Sequence, residues 1–409
     1  MTAAWLKTPL VRFVWLFCVL YLAFGASSPF LPSLLESRGI KPEELGLIFS
    51  AATAIRLLAA PIAARLADRF GALRFVLAAC ATAGAAATLC YLPASHLPMV
   101  LMVSLLQAAA LAPTTNLADA LALAASKAKM RSGFEYGWVR GAGSAAFIVG
   151  SIVAGVAISG YGLSIILWLQ AALLITVPWA VRQVPATTAW RHGADSHAPV
   201  GMLALAKSAA FRRIVLFAAL VLGSHAMHDT FAMIRWRAAG IPAWETSLLW
   251  SLAVAGEVIV FFLVGPRLLN ALTPPGGLVL AALCGAVRWC ITALTADVLA
   301  VALIQPLHGF SFALLHLAAM QLIARIVPQQ LAATAQAIYG TVGIGLATAS
   351  LMLLSGWLYA HLGPAAFLCM SLLCLAALPL TLGLNRLIAA SQSAVAAGNH
   401  SASSAFARY

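Results

Sequence analysis

Apolar runs of roughly twenty residues recur along the chain, separated by short segments that hold most of its arginines and lysines. A helix needs about 20 mainly apolar residues to cross the hydrocarbon core of a bilayer. Twelve such runs can be drawn, at approximately 11–33, 44–65, 73–93, 98–124, 134–159, 162–181, 211–233, 244–265, 277–295, 299–324, 332–360 and 363–385. Several contain Pro or Gly, such as Pro61, Pro113 and Gly343 to Gly345, which membrane helices tolerate because neighbouring groups satisfy the freed backbone. The small-residue run Gly141-Ala142-Gly143-Ser144 suits a face where helix backbones approach closely. The pattern predicts an all-α membrane protein with twelve transmembrane helices.

The longest polar interruption, 183–210, divides the runs six and six. It predicts an N-terminal six-helix bundle over 1–182, a cytoplasmic linker over 183–210 and a C-terminal bundle over 211–388. The Ser/Ala-rich residues 389–409 read as a disordered cytoplasmic tail. With the N-terminus in the cytoplasm, one side holds Lys7, Arg12, Arg65, Arg69, Arg74, Lys127, Lys129, Arg131, Arg182, Arg191, Lys207, Arg212, Arg213, Arg267, Arg325, Arg386 and Arg408. The other holds Arg38, Lys41, Arg235 and Arg237. This asymmetry places both termini in the cytoplasm and the chain in the cytoplasmic, or inner, membrane.

Composition narrows the classes. Of 409 residues, 63% are hydrophobic and 9% charged, against about 25% charged in soluble domains. Such a chain cannot cover a soluble surface, which excludes a soluble enzyme, a disordered protein and a nucleic-acid module. The net charge of +13 follows from the loop arginines and lysines, so it is no nucleic-acid footprint. Seven cysteines in apolar stretches, without a CxxC pair, imply neither a disulfide frame nor a metal site. His192 and His197 lack further ligands in the sequence nearby, so no metal is expected there. No nucleotide-binding or HExxH signature is present, and no enzyme activity or cofactor is expected.

Between the second and third runs stands Ala64-Arg65-Leu66-Ala67-Asp68-Arg69-Phe70-Gly71-Ala72-Leu73-Arg74. It resembles the GxxxD(R/K)xGxx(R/K) loop of the major facilitator superfamily, with Asp68, Arg69, Gly71 and Arg74 fitting and Ala64 replacing the first Gly. Gly265-Pro266-Arg267-Leu268-Leu269-Asn270 echoes it in the second half. Tyr136-Gly137-Trp138-Val139-Arg140-Gly141-Ala142-Gly143-Ser144 resembles the YGxxRxxGS of the phenylpropionate permease group, relatives of the lactose and nucleoside proton symporters. Trp236-Arg237-Ala238-Ala239-Gly240 and the stretch from Leu307-His308-Gly309-Phe310 to His316 add to the likeness. The resemblance implies the major facilitator fold, two six-helix halves. It also implies that the loop motif, Asp68 above all, holds one conformation of a transport cycle through hydrogen bonds from backbone N–H groups or an arginine.

Away from their ends, six runs each contain one charge: Arg56, Asp119, Arg140, Asp229, Glu257 and Arg288. A charge at the bilayer centre costs about 2.5–3.5 kcal/mol on insertion scales, so the balanced signs point to pairing inside the bundle or around a wet cavity. Asp119 lies eight residues before Lys127 and Arg140 nine after Arg131. At 1.5 Å per residue both sit about 12–14 Å inside the boundary, where they can meet. Arg56, Glu257 and Arg288 fall near the midplane, His308 somewhat above it, and Asp229 nearer the opposite surface. The set Asp229, Glu257, Arg288 and His308 is similar to the charged network of lactose permease, except that Ser311 and Gln305 stand where a carboxylate and a lysine would. His316 and Tyr136 join the candidate residues for substrate binding or coupling. The resemblance implies a secondary transporter of a small, anionic organic solute, a proton symporter for an aromatic carboxylate such as 3-phenylpropionate. It would be driven by the proton gradient and act as a monomer in the bilayer. The alternatives are a sugar or nucleoside permease, a drug exporter, and a membrane-embedded sensor.

Reporter fusions at residue 195 and at the C-terminus should both report the cytoplasm; a periplasmic signal from either would overturn the orientation drawn from the charge asymmetry.

Overall fold

The computed structural model describes residues 8–127, 134–185 and 205–389. Most of the expected linker, with His192 and His197, residues 390–409 of the expected tail, and Lys7, Lys129, Arg131, Arg191 and Arg408 lie outside the described residues. Nine helices among the described residues are long and apolar enough to cross a membrane, and Leu73–Leu89 is a shorter apolar one. Two of the nine, Ala243–Leu294 with 52 residues and Ala332–Thr381 with 50, are each long enough for two crossings. With these divided, every run drawn from the hydropathy has its helix.

Local chemistry explains where the long helices break. Thr273, at φ 64° and ψ 157°, leaves the helical region immediately before Pro274 and Pro275. A proline lacks the N–H that would continue the ladder, so the pair starts a new helix rather than extending the old one. Gly363, at φ 54°, divides the other long element. A third turn lies in the motif between Pro42–Arg69 and Leu73–Leu89. There Gly71 is left-handed at φ 59°, its N–H donates to Asp68 O, and Ala72 N–H donates to Ala67 O. These two bonds are the Schellman closure of a helix end, and they explain the motif's glycine physically.

The chain forms two compact units. The first takes the described residues up to 185 with Asp229–Ala255 and Met352–Gly363; the second takes the described residues from 205 to His228, with Gly256–Leu351 and those from Pro364 onward. In the first, Phe13, Leu16, Phe17 and Leu20 of Pro9–Ser27 are fully buried in a core with Leu77, Leu117, Leu174 and Val177. That helix approaches Tyr136–Tyr161 at backbone distance, because a Cβ on Gly150 would fall 3.0 Å from Leu22 Cα. Buried polar groups are satisfied across helices: Gln107 Nε2 donates to Thr88 Oγ1 at 2.8 Å and to Gln170 Oε1 at 3.1 Å.

The second unit contains three π-helical stretches, Val260–Val264, Gly309–Leu314 and Tyr339–Leu346. Such wide turns occur often at functional sites. Two of them flank a close crossing, where a Cβ on Gly256 would fall 2.8 Å from Pro306 Cα and one on Gly309 would fall 2.7 Å from Gly256 C. Only glycine fits at such a contact.

Gly150→Leu should cost about 1–3 kcal/mol by overpacking, lowering the thermal midpoint in detergent. Gly160→Leu, a position with nothing within 4 Å of a new Cβ, should leave it unchanged; equal effects would show that the glycine face does not set this packing.

Candidate functional site

Four helical segments bring the C-terminal polar residues together within the second unit. Glu257 follows Gly256, and His308 precedes Gly309, so the glycine crossing sets these two side chains side by side. His308 Nε2 lies 3.5 Å from Glu257 Oε2. Arg288, on Gly265–Leu294, is fully buried. Its guanidinium meets His308 Nδ1 at 3.2 Å and His228 Nε2 at 3.1 Å, and it donates to Gln305 Oε1 at 2.7 Å. The guanidinium carbon also stands 4.5 Å from the centre of the Trp289 ring.

Arginine has donors only. Each imidazole nitrogen that faces Arg288 must therefore offer a lone pair. His308 then carries its hydrogen on Nε2, aimed at Glu257, and His228 carries its own on Nδ1. A continuous path runs from carboxylate through imidazole to guanidinium. Behind it, His225 Nδ1 lies 3.1 Å from Val221 O and its Nε2 lies 3.1 Å from Ser311 Oγ. The His225 and His308 rings stand edge to face, 5.1 Å apart.

Two helix breaks shape this cluster. Ser224 separates Ala209–Gly223 from His225–Ala238, and its hydroxyl donates to Val221 O at 2.7 Å. Trp289 Nε1 donates to the same hydroxyl at 2.8 Å. Pro306 interrupts the helix after Val298–Ile304, releasing Gln305 toward Arg288. Gln305 and Ser311, the two departures from the lactose permease pattern, thus have partners of their own in Arg288 and His225. His225 and His228 were not singled out from the sequence. Their three-residue spacing puts them on one helix face, a signal that neutral side chains give only faintly.

In the first unit, Asp119 accepts a 2.7 Å hydrogen bond from the Tyr136 hydroxyl. Arg140 donates to the Tyr21 hydroxyl, and its guanidinium carbon lies 4.8 Å from the centre of that ring. Gly143 lets Tyr21 pass, since a Cβ there would fall 3.0 Å from the Tyr21 ring. Tyr136 and Arg140, four residues apart, share a helix face. Asp119 and Arg140 form no ion pair with each other: each is held by a phenol instead.

The other candidates fall elsewhere. Arg56 is exposed on Pro42–Arg69 and makes no hydrogen bond or ion pair among the described residues. Asp229 is exposed and belongs to the first unit. His316 lies beyond the π turn on the helix of His308, with its ring centre 5.7 Å from Tyr339 and 6.3 Å from Phe261. In the loop motif, Asp68 is exposed, and its carboxylate has neither the backbone N–H nor the arginine expected of it among the described residues. Arg69 lies over the Phe70 ring, and Arg74 donates to Val184 O at 3.2 Å. Among the described residues, no group of three or more His, Cys, Asp or Glu could hold a metal ion.

The elements among the described residues are helical throughout, with charged and imidazole groups gathered inside the bundle. Residues 10–369 match the model of the MFS_1 like family, and the chain belongs to that family. It is 31% identical over 373 residues to the "Probable 3-phenylpropionic acid transporter" of Escherichia coli (strain K12), covering 88% of this chain and 93% of that one. The maltose permease of Geobacillus stearothermophilus is 25% identical over 342 residues, 83% of this chain and 85% of that one. Among solved structures, the nucleoside transporter NupG superposes with a TM-score of 0.80 at 15% identity, covering 93% of this chain and 98% of that chain. A bacterial homologue of the lysosomal transporter Spinster, inward-facing and unoccupied, gives 0.66 at 14% identity, covering 96% and 98%. These relatives and neighbours are transporters, which sets enzyme activity aside.

Gln305→Leu removes a charge-assisted acceptor from Arg288 and should cost about 1.5–3 kcal/mol, read as a lower thermal midpoint. Gln305→Glu, which keeps an acceptor, should not show that loss; the reverse order would show that Gln305 only fills space.

Proposed function

We propose that this transporter imports an aromatic carboxylate such as 3-phenylpropionate together with protons across the cytoplasmic membrane. The observation that carries the reading is the path Glu257–His308–Arg288, which joins a proton-binding carboxylate to a buried cation through one imidazole. The relative whose name carries 3-phenylpropionic acid supports the substrate class. An anion in an apolar cavity needs a fixed cation, and the neutral acceptors around Arg288, an amide and two imidazoles, can yield to a substrate carboxylate.

Coupling follows from hydrogen-bond capacity. While Glu257 is ionised it attracts the Nε2 hydrogen of His308, whose Nδ1 lone pair then serves Arg288. A proton on Glu257 removes that attraction and loosens the hold of His308 on Arg288, which favours the carboxylate substrate at the guanidinium. Loss of the proton restores the path and disfavours the bound anion. Asp119 with Tyr136, and Arg140 with Tyr21, form the matching acid and cation of the other helices and contribute to binding or to the conformational change. The two six-helix halves, the linker, cytoplasmic termini and a monomeric state complete the reading.

Glu257→Gln mimics the protonated acid. In proteoliposomes it should still bind substrate and exchange it between equal pools, but fail to accumulate it under an imposed pH gradient. Normal proton-driven accumulation would remove Glu257 from coupling. If the wild-type protein takes up maltose or nucleosides and ignores phenylpropionate and cinnamate, the substrate class is wrong.

A further inference from the structure

We infer that the first unit carries a binding site for an anionic phospholipid, built around Arg74 and Arg182. A cavity of about 790 Å³ opens where the motif loop meets the helices Leu73–Leu89 and Ile165–Gln183, with Arg74, Phe75, Ala78, Thr82, Pro178 and Arg182 among its lining. Among the described residues, both titratable side chains in the lining are arginines and no carboxylate lines it.

Its polarity is graded along the helix axis. Arg74 stands in the first turn of Leu73–Leu89, and Ala78 and Thr82 follow at four-residue steps on the same face. At 1.5 Å per residue the wall descends about 12 Å beyond the arginine, well into a hydrocarbon core about 30 Å thick. On the facing helix Arg182 lies in the last turn, with Pro178 one turn deeper. Each wall thus has a cation at its Lys/Arg-rich end and small or apolar side chains below. Thr82 is no polar exception, since its hydroxyl donates to Ala78 O at 2.9 Å. Phe75, 75% exposed, adds an aromatic edge.

That gradient fits an amphiphile with an anionic head and an acyl tail better than a small soluble anion. The C-terminal carbonyls of Ile165–Gln183 would repel an anion, but two of the last ones are already engaged: Val184 O by Arg74 and Gln183 O by Arg12. Arg74 spends one N–H on that bond, and a guanidinium has five. The rest, with Arg182, which is exposed and makes no side-chain hydrogen bond among the described residues, can grip phosphate oxygens in the forked geometry arginine favours. A basic pocket between transmembrane helices on the positive side is the usual seat of such headgroups.

The test uses the purified full-length chain in detergent, with lipid retention read by native mass spectrometry. Phosphatidylglycerol should be retained at least about tenfold more tightly than phosphatidylcholine, and each arginine lost should weaken it about fivefold. Arg182→Gln is the first variant, because its exposed side chain bears no packing; Arg74→Gln with Arg182→Gln follows, with the thermal midpoint as the folding check. Thr82→Trp, which fills the tail wall and leaves both arginines, should also weaken phosphatidylglycerol. Equal retention of the two lipids by the wild type, or unchanged retention by Arg182→Gln, overturns the site. So does displacement of phosphatidylglycerol by millimolar inorganic phosphate with no effect of Thr82→Trp, which would assign the cavity to a soluble anion.

Discussion

A guanidinium inside a membrane bundle must be given acceptors, because an unsatisfied charge there is too costly to keep. Arg288 is the fully buried case among the described residues, and much of the second unit is arranged around that need. Three side chains from two other helical segments turn toward it: His228, Gln305 and His308. Supplying them has structural consequences. One helix is interrupted at Ser224, beside the histidines, and another at Pro306, beside the glutamine. Each interruption releases backbone groups that must be satisfied in turn, and Ser224 does so through its hydroxyl to Val221 O while receiving the Trp289 indole.

The glycine crossing is the second half of that arrangement. Gly256 and Gly309 bring two backbones within contact, and the residues beside them, Glu257 and His308, are thereby set at ion-pair distance. The π stretches that start shortly after each residue, Val260–Val264 and Gly309–Leu314, widen the helices where they cross. The first unit meets the same problem with different chemistry. Its acid and its arginine are each held by a tyrosine hydroxyl, so opposite charges at similar depth stay apart. Phenols suit this task, since one group can donate to a carboxylate or accept from a guanidinium.

Much of the fold was legible in hydropathy alone, because a run of apolar residues has one economical answer in a bilayer. The charged candidates were legible for the same reason: Glu257, Arg288 and Asp119 stand out against an apolar background. Their depths could be counted along the helix. Their azimuths could not. Asp119 and Arg140 have similar depth, yet Tyr136 and Tyr21 intervene. A π turn stands between His308 and His316, so ideal-helix spacing does not give the angle between them. Neutral partners escaped notice because histidine, glutamine and tyrosine occur in spans without a cost large enough to flag them; His225 and His228 are the clearest instances. Pro306 did carry a visible signal for a break, whereas Ser224 carried none. Gly71 was read as part of a motif, and the structure supplies its reason in a left-handed helix end.

The donor-only character of Arg288 has a further consequence for where a proton can rest. Both imidazoles beside it must present lone pairs, so a hydrogen on the Nδ1 of His308 would face a guanidinium hydrogen across about the same 3.2 Å. That arrangement replaces a donor–acceptor attraction by two donors face to face. In the proposed function the proton sits on the Glu257 carboxylate, with His308 relaying its orientation rather than its charge. Under this geometry the imidazole acts as a positioning group. The Glu257 side chain is 32% exposed, while Arg288 is fully buried. The acid thus lies at the accessible end of the path and the cation at its buried end, which is the order the proposed coupling requires.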